Sequence, residues 1–243
     1  EIHPSDWSSD VCSSDLSGRP VDIYVFERVV MDLYNSLGSS VAGGLQYVVD
    51  VDGVVRSVGL GVVEGSLVRL CEKIHPSKAT GERGLVSPGG LVKPFKVGGW
   101  HVGCIACVDI FYPEVARALV ALGAQVLYNP ASIPDNRVEL WQSAVRLRGV
   151  ESIAYSIGVN AVGNRYPDGR VTGGGSVAFS PWGKMLASLG PQPAATTVEL
   201  DWGRVEEALE RWAFREDFER YYRSLYLNLL TPRESFKVTH GTS

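Results

Sequence analysis

The sequence predicts a single α/β or α+β domain. Apolar runs with the pattern of β-strands alternate along the chain with helical patterns, and no segment has the composition of a linker between domains. Residues 101–130 contain a strand, a turn, a helix and a further strand in direct succession. Of the 243 residues, 45% are hydrophobic and 21% are charged, which is typical of an ordinary soluble globular chain.

The segments before residue 100 have the alternating, β-branched composition of strands. VDIYVFERVV, from Val21, predicts a strand, and LQYVVDVDGVVRSVGLG predicts two strands joined by a hairpin turn at Asp52-Gly53. In EGSLVRLCEKIHP the alternation places Cys71 and Lys73 on one face of a strand that ends at Lys73. The Gly- and Pro-rich segment 78–99 predicts a long loop, and loops of this length in compact domains are usually functional.

The most informative segment is a strand–turn–helix–strand unit. His101–Ala106 predicts a short buried strand, and Pro113 suits the first position of the helix that follows. The predicted helix ends at Gly123, and AQVLYNP predicts the next strand. One apolar stripe of this helix consists of Val115, Leu119 and Leu122. The unit therefore places Cys107 at the turn between strand and helix.

The C-terminal part adds further strands and one long helix. ESIAYSIGVNAVGN and GGGSVAFSPWGKMLASLG predict strands, and the segment from Pro193 predicts a strand followed by a helix that Asp201 caps. The helix stripe comprises Val205, Leu209 and Trp212. Residues 227–243 are predicted to be a surface tail.

Charge and cysteine content exclude several classes of function. A net charge of −4 provides no basic surface for nucleic acid or an anionic membrane, and no apolar run reaches the ~18 residues that span a bilayer. The four cysteines are Cys12, Cys71, Cys104 and Cys107, a poor basis for a disulfide framework. We therefore expect a reduced, cytoplasmic protein in which a single special thiol is a plausible nucleophile.

Cys107, Lys73 and Glu82 form the candidate catalytic set. A thiol between a strand and a helix N-terminus lies where the thiolate is favoured, because free N–H groups and the helix dipole stabilise negative charge there. Lys73 would supply a cation for a developing oxyanion, and Glu82 would orient the lysine. Taken singly, Cys107 also fits a small buried apolar residue and Lys73 a solvated charge at a strand end, so spacing alone leaves the choice open.

Five segments together resemble the carbon–nitrogen hydrolase (nitrilase) superfamily. CVDIFYPEVARALVALGAQVLYNPAS resembles its nucleophile segment, and EKIHPSKATGERGLVSPG resembles its lysine segment. VFERVVMDLYNS resembles the family's strand that ends in Glu-Arg before Tyr-Asn-Ser. RGVESIAYSIGVNAVGN and GGGSVAFSPWGKMLA resemble its later strands, and the likeness runs in order from about Val21 to Tyr226.

The resemblance implies an α-β-β-α sandwich that pairs sheet to sheet in homodimers or larger homo-oligomers, and a Glu–Lys–Cys catalytic set without metal or organic cofactor. Cys107 would form a thioester with the substrate's acyl carbon. Lys73 and the backbone N–H of Val108 would stabilise the oxyanion, and Glu82 would be the auxiliary glutamate. The implied activity is hydrolysis of small-molecule, non-peptide carbon–nitrogen bonds. A non-catalytic binding relative is the alternative from another class.

The family's general-base glutamate has no clear counterpart. That residue usually ends an earlier strand in Phe-Pro-Glu, whereas Glu27 fits the later Glu-Arg position because Tyr34-Asn35-Ser36 follows it at once. We therefore expect the base to be missing from this chain, with Glu27 as the alternative. DWSSDVCSSDL, residues 6–16, reads as a translated sequencing-library adapter. We accordingly interpret residues 1–16 as non-native and residues 17–226 as a hydrolase domain that lacks its first strands and helices.

Other positions also depart from the family pattern. Val108 replaces the usual Trp or Tyr, and Asp109 is typical of amidase-like branches, which favours amide or N-carbamoyl substrates over nitriles. LGSSVAGGLQYV is an apparent insertion that lengthens a hairpin at the surface.

Two further readings of single residues are weaker. The Cys104-x-x-Cys107 spacing suggests a redox or metal pair, but Cys104 falls inside a strand and no second pair completes a zinc site. His75 belongs to the lysine segment and His101 begins a strand, so we interpret both as structural.

Overall fold

A computed structural model of the chain describes residues 23–50, 53–90, 92–166, 168–218 and 220–221. The helices are α1 (Ile23–Leu37), α2 (Pro113–Ala121), α3 (Val138–Ser152) and α4 (Trp202–Arg211), and two short 3-10 helices span Cys107–Phe111 and Asp135–Arg137. The first strands are β1 (Val41–Val49), β2 (Val55–Val63), β3 (Ser66–Glu72), β4 (Phe95–Val97), β5 (Trp100–Cys104) and β6 (Val126–Ala131). They are followed by β7 (Tyr155–Asn160), β8 (Val162–Arg165), β9 (Val171–Gly173), β10 (Val177–Phe179) and β11 (Met185–Ser188).

The strands form two main sheets and one small hairpin. The first sheet is antiparallel with the order β1-β2-β3, and the second has the order β11-β10-β7-β6-β5-β4. Within the second sheet β5, β6 and β7 are parallel, so their carboxyl ends meet at one edge. In open sheets of this kind that edge is where ligand sites form. The hairpin pairs β8 with β9.

The layer order is helix, sheet, sheet, helix. Val30 of α1 packs with Val58, Leu60 and Val62 on one face of β2, so α1 covers the outer face of the first sheet. The helices α2 and α3 cover the far face of the second sheet, where Trp141 is fully buried within the largest apolar cluster. The mixed α/β class and the sandwich architecture predicted from the sequence are thus confirmed.

Glycines of β2 allow close packing. Gly61 lies tight against its neighbours β1 and β3 within the first sheet, and Gly59 faces the second sheet, where a Cβ would lie 3.3 Å from Sγ of Cys104. A Cβ at Gly61 would lie 2.5 Å from the backbone oxygen of Val41 and 2.9 Å from Cδ1 of Leu70. Tyr128, in the second sheet, reaches across the interface and donates its hydroxyl to the carbonyls of Ala42 and Gly43 in β1. Close packing at this interface fixes how the strands of one sheet are placed against those of the other.

The predicted strand at residues 21–30 is wrong where the structure describes it. Residues Ile23–Leu37 form α1, because the residues that pack on the first sheet, Val30 and Tyr34, recur at helical spacing i, i+4. The β-branched composition of the segment hides this period. The prediction that residues 37–48 are only a surface feature is also wrong. They include most of β1, in which Gln46 is buried.

The hairpin and the strand–turn–helix–strand unit are confirmed, although Asp52 of the predicted turn lies outside the described residues. The hairpin joins β1 to β2, and the strand ending before Lys73 is β3. Pro113 begins α2 as expected, whereas Leu122 is exposed because the helix ends one residue earlier. The long loop at 78–99 is interrupted only by β4, an edge strand.

The C-terminal prediction is partly wrong. Asp201 caps α4 by accepting a hydrogen bond from the N–H of Gly203, as expected. Residues 193–200 form no strand. Trp212 lies beyond the helix end in extended conformation, where its ring contacts that of Trp182 in a tilted arrangement. The predicted non-native segment 1–16 and tail 227–243 lie outside the described residues. No helix in the described ranges is long and apolar enough to cross a membrane.

Candidate active site

A fully buried carboxylate joins the end of β3 to the turn that carries Cys107. Asp109 accepts hydrogen bonds from the backbone N–H groups of Ile74 (2.8 Å) and His75 (3.0 Å), and its Oδ1 lies 2.8 Å from Nδ1 of His75. The imidazole stacks on Tyr112 with ring centroids 3.6 Å apart. Burial raises the pKa of Asp109, although the donors of Ile74 and His75 oppose the shift. Asp109 thereby holds Lys73 and Cys107 in a fixed relation.

Lys73 and Glu82 form a buried ion pair, with side chains 4% and 5% exposed. The ammonium Nζ lies 2.7 Å from Oε1 and 2.6 Å from Oε2 of Glu82. The same carboxylate accepts the hydroxyl of Tyr47 at 2.7 Å and the backbone N–H of Ser77 at 2.6 Å. Because these donors supplement the ion pair, the charge of Glu82 is well compensated in spite of its burial.

The charges around Lys73 keep it protonated. Burial lowers the pKa of the lysine, but the electrostatic interactions with Cys107, and then with Glu82, outweigh burial and raise the pKa above its ordinary value. Lys73 therefore presents an ammonium group to Cys107. The structure brings the three predicted catalytic side chains, those of Cys107, Lys73 and Glu82, into one site.

Cys107 occupies a strained turn. It is half-buried, whereas Cys71 and Cys104 are buried, and its φ of 45° lies in the left-handed region that non-glycine residues seldom adopt. Such strain persists where surrounding contacts impose it, often at functional sites. Here Asn129 donates to the carbonyls of Ile105 (2.6 Å) and Cys107 (3.1 Å), and Trp141 donates to Oδ1 of Asn129 at 2.7 Å.

A short 3-10 helix lies between Cys107 and the predicted helix α2. The chain enters a 3-10 helix at Cys107 itself, and α2 begins only at Pro113. The thiol therefore lies at the start of the 3-10 helix, between β5 and α2. Val108 is the second residue of the 3-10 helix, and an N–H in a first helical turn has no carbonyl partner within its own helix.

The hairpin β8–β9 adds a residue that the sequence analysis misses. Tyr166 donates its hydroxyl to the carbonyl of Ser132 after β6. Burial, and then the negative charges of Cys107 and Glu82, raise the pKa of Tyr166 to about 12. The guanidinium of Arg170 lies 4.9 Å from the ring centroid and donates to the carbonyl of Ala79 in the lysine loop. Tyr166 falls in no pattern that a single sequence would single out.

Other candidate residues lie elsewhere. Glu27 is in α1, which packs on the outer face of the first sheet. Cys104 contacts Cys71 between the sheets, while Cys107 packs against the cluster beneath α2 and α3. His101 lies in β5, and its N–H donates to Gln125. Within the described ranges, no group of three or more His, Cys, Asp or Glu side chains could hold a metal ion.

The chain is similar to proteins of one enzyme family. The carbon-nitrogen hydrolase family model matches residues 61–209. An (R)-stereoselective amidase of Pseudomonas sp is 33% identical over 136 residues, 56% of this chain and 49% of that protein. A 2-oxoglutaramate amidase of Bacillus subtilis (strain 168) is 27% identical over 157 residues, 65% of this chain and 60% of that protein.

A solved structure shows the same fold. The carbon-nitrogen hydrolase from Helicobacter pylori G27 superimposes with a TM-score of 0.78 at 21% identity, over 93% of this chain and 83% of that chain. The chain spans about half the length of the curated relatives that it matches.

Proposed function

The chain belongs to the carbon–nitrogen hydrolase family, and from this premise we propose that it hydrolyses small-molecule amides through a thioester on Cys107. The observation that carries the proposal is the buried Lys73–Glu82 pair, whose ammonium group is near enough to Cys107 for the two groups to interact electrostatically. A thiolate beside an ammonium group is an activated nucleophile. The amidase names of similar proteins support a carbon–nitrogen bond as the target.

In the proposed first half-reaction, the Cys107 sulfur attacks the amide carbon and the carbonyl oxygen becomes negatively charged. Lys73 and the N–H of Val108 would stabilise this oxyanion, and each such donor contributes about 3–4 kcal/mol in related acyl transfer. Collapse of the tetrahedral intermediate breaks the carbon–nitrogen bond. A general base carries the thiol proton to the departing amine, which leaves a thioester. Water then attacks the thioester, releases the acid and restores the thiol.

Glu82 is proposed to position Lys73 and not to act as the general base. Its two oxygens already accept hydrogen bonds from Lys73, Tyr47 and Ser77. A base needs a free lone pair within reach of the proton it removes. We propose that the base is another glutamate: one that is missing from this chain, or Glu27.

We propose amides and N-carbamoyl compounds as the substrate class. The support is Asp109 after Val108, which resembles the amidase-like branches, and the amidases among the relatives. A nitrile-specific enzyme is the alternative. The test is ammonia release from ω-amides, N-carbamoyl compounds and an aromatic nitrile, with Cys107→Ala as the control. Turnover of the nitrile alone would reverse the substrate assignment, and equal rates in both proteins would remove Cys107 from the mechanism.

Thiol labelling tests the nucleophile without a substrate. Iodoacetamide at neutral pH is expected to alkylate Cys107 much faster than Cys71 or Cys104, because Cys107 is more accessible and lies beside Lys73. Peptide mapping by mass spectrometry gives the three rates. Equal rates would count against an enzyme and favour a non-catalytic relative. We also propose a homo-oligomer of cytoplasmic location, for which sedimentation of the purified protein tests the assembly.

A further inference from the structure

Two cysteines that the proposed reaction does not use are in direct contact. The Sγ atoms of Cys71 and Cys104 lie 2.8 Å apart, and the two residues are only 2% and 3% exposed. Cys71 belongs to β3 of the first sheet and Cys104 to β5 of the second. The sulfur contact therefore spans the interface between the two sheets.

The local structure creates room for this pair. The pairing of β2 with β3 shifts register between Gly59 and Leu60, and Leu70 and Cys71 are consecutive buried residues as a result. Gly59 faces the two sulfurs: a Cβ there would lie 2.8 Å from Sγ of Cys71 and 3.3 Å from Sγ of Cys104. Only a residue without a side chain leaves this space free.

The surroundings keep the thiols unreactive under reducing conditions. Buried apolar residues enclose the pair, and burial raises the pKa of Cys104 well above its ordinary value. Formation of a thiolate there is rare at neutral pH, which slows oxidation and makes it faster in alkali. A small neutral oxidant can reach such a site when the structure opens locally.

We propose that Cys71 and Cys104 are an oxidation site at which hydrogen peroxide produces an intramolecular disulfide between the two sheets. One thiolate attacks the peroxide and becomes a sulfenic acid, with loss of hydroxide. The second thiol attacks that sulfur, so that a sulfur–sulfur bond forms and water leaves. In sum, two thiols and one peroxide give one disulfide and two water molecules. The sulfur atoms need to move together by less than about 1 Å to reach bonding distance.

The disulfide would tie together the two strands that lead to the proposed catalytic residues. Lys73 follows Cys71 by two positions, and Cys107 follows Cys104 by three. The bond would close a loop of intermediate length, which restricts the unfolded chain, and we expect Tm to rise by roughly 5 °C. This inference goes beyond the proposed function, because it depends only on the sulfur contact and not on turnover.

The test uses the full chain with Cys107→Ala, which removes the accessible thiol from competition. The protein is treated with hydrogen peroxide, unfolded, alkylated and digested without reduction. Mass spectrometry is expected to find a peptide that links Cys71 to Cys104 and lacks two hydrogen atoms, and dithiothreitol should reverse both the link and the rise in Tm. Cys71→Ser and Cys104→Ser in the same background are matched controls that should show neither effect.

Three results of peroxide treatment would overturn the proposal: complete alkylation of Cys71 and Cys104, separate sulfinic acids at the two positions, or a disulfide that involves Cys12. The same digest of the unsubstituted protein gives the answer if a serine variant fails to fold. If the unsubstituted protein forms the link but neither hydrolyses amides nor is acylated at Cys107, the proposed reaction is refuted and the oxidation site stands.

Discussion

The carboxylate of Glu82 holds the Lys73 ammonium group by an ion pair. A single substitution removes the charge of Glu82 with little change in its shape. Glu82→Gln keeps the shape but leaves a buried lysine without its counter-charge, which we expect to lower the free energy of unfolding by about 3 kcal/mol. We also expect alkylation of Cys107 by iodoacetamide to slow by about 10–100-fold, since a displaced lysine no longer stabilises the thiolate. Urea unfolding and peptide mapping measure these changes.

The control for this substitution is Glu210→Gln, at an exposed position of α4. It removes the same charge from the chain without touching the site, and we expect both its stability and its alkylation rate to match those of the unsubstituted protein within error. If both variants behaved alike, Glu82 would have no positioning role.

The raised pKa of Lys73 predicts how stability depends on pH. The unfolded lysine has its ordinary pKa of 10.5, and the folded one lies above it. The ammonium group therefore contributes its full stability below pH 10.5, and this contribution is lost as the pH rises through the folded-state pKa. We expect the stability difference between the protein and Lys73→Met to be constant from pH 8 to about pH 10 and to shrink at higher pH.

Chemical denaturation at a series of pH values gives this difference, in which the titrations of groups remote from Lys73 cancel. Both proteins carry Cys107→Ala, so that titration of this thiol does not contribute. Burial alone would lower the pKa of the lysine. A difference that already shrinks below pH 9 would therefore show that burial dominates, and that Lys73 is no permanent cation.

The sequence points to Cys107, Lys73 and Glu82 because each lies in a short segment that resembles a family motif and has a side chain suited to the proposed chemistry. It misses Asn129 and Tyr166, which act through contacts between distant segments: Asn129 with Cys107, and Tyr166 with Ser132. Nothing in the spacing of an asparagine or tyrosine along one strand indicates such a contact.

At the scale of the element, β2 is packed so closely against β1 within the first sheet that Gly61 has no room for a side chain. In Gly61→Ala the added Cβ meets the backbone oxygen of Val41 at 2.5 Å, a contact that no side-chain rotation relieves. We expect the strands to separate slightly and the free energy of unfolding to fall by about 1–3 kcal/mol. The midpoint of urea unfolding measures the loss.

Gly90→Ala is the matched control, because a Cβ there meets nothing within 4 Å and the residue is exposed. We expect no loss of stability in this variant. Equal effects at the two glycines would mean that the pairing of β1 with β2 tolerates the additional atom, contrary to the close approach described above.

Tertiary packing, and not local composition, determines the two helices that the sequence patterns fail to predict, α1 and α3. In α1 the β-branched residues suggest a strand, but packing on the first sheet selects the helix and overrides their propensity. The helix α3 goes unnoticed because its buried face includes Arg148, Gly149 and Ser152 and so lacks an apolar stripe. Arg148 is satisfied by donating to the carbonyl of Ile110, a contact that exists only in the folded chain.

For the whole molecule, the resemblance to a family predicts the order of layers, whereas local patterns predict only the class. Alternation and turn residues indicate strands and helices but do not say which faces meet. The contact between the sheets depends on the bare backbone of Gly59 and on the cysteine pair beside it. The role of these residues cannot be predicted from local sequence patterns, because it depends on contacts between two separately formed sheets.

The location of the general base determines how the whole chain should react. The carboxylates of Glu82 and Asp109 are both engaged in hydrogen bonds, and Glu27 lies in the helix on the outer sheet face. An activated ester such as p-nitrophenyl acetate acylates a thiolate without a base, because p-nitrophenolate leaves unprotonated. We therefore expect a burst of about one p-nitrophenolate per chain, followed by slow deacylation. Stopped-flow absorbance measures both phases.

Two variants decide between the alternatives for the base. Lys73→Met should slow the burst, because the oxyanion and the thiolate lose their cation, while Glu27→Gln should leave the burst rate unchanged. If the chain instead turns over ester and unactivated amide many times, and Glu27→Gln stops this turnover but not the burst, Glu27 is the base. If deacylation is equally slow in the unsubstituted chain and in Glu27→Gln, Glu27 is not the base. Hydrolysis of the thioester is then slow because no carboxylate of this chain activates the attacking water.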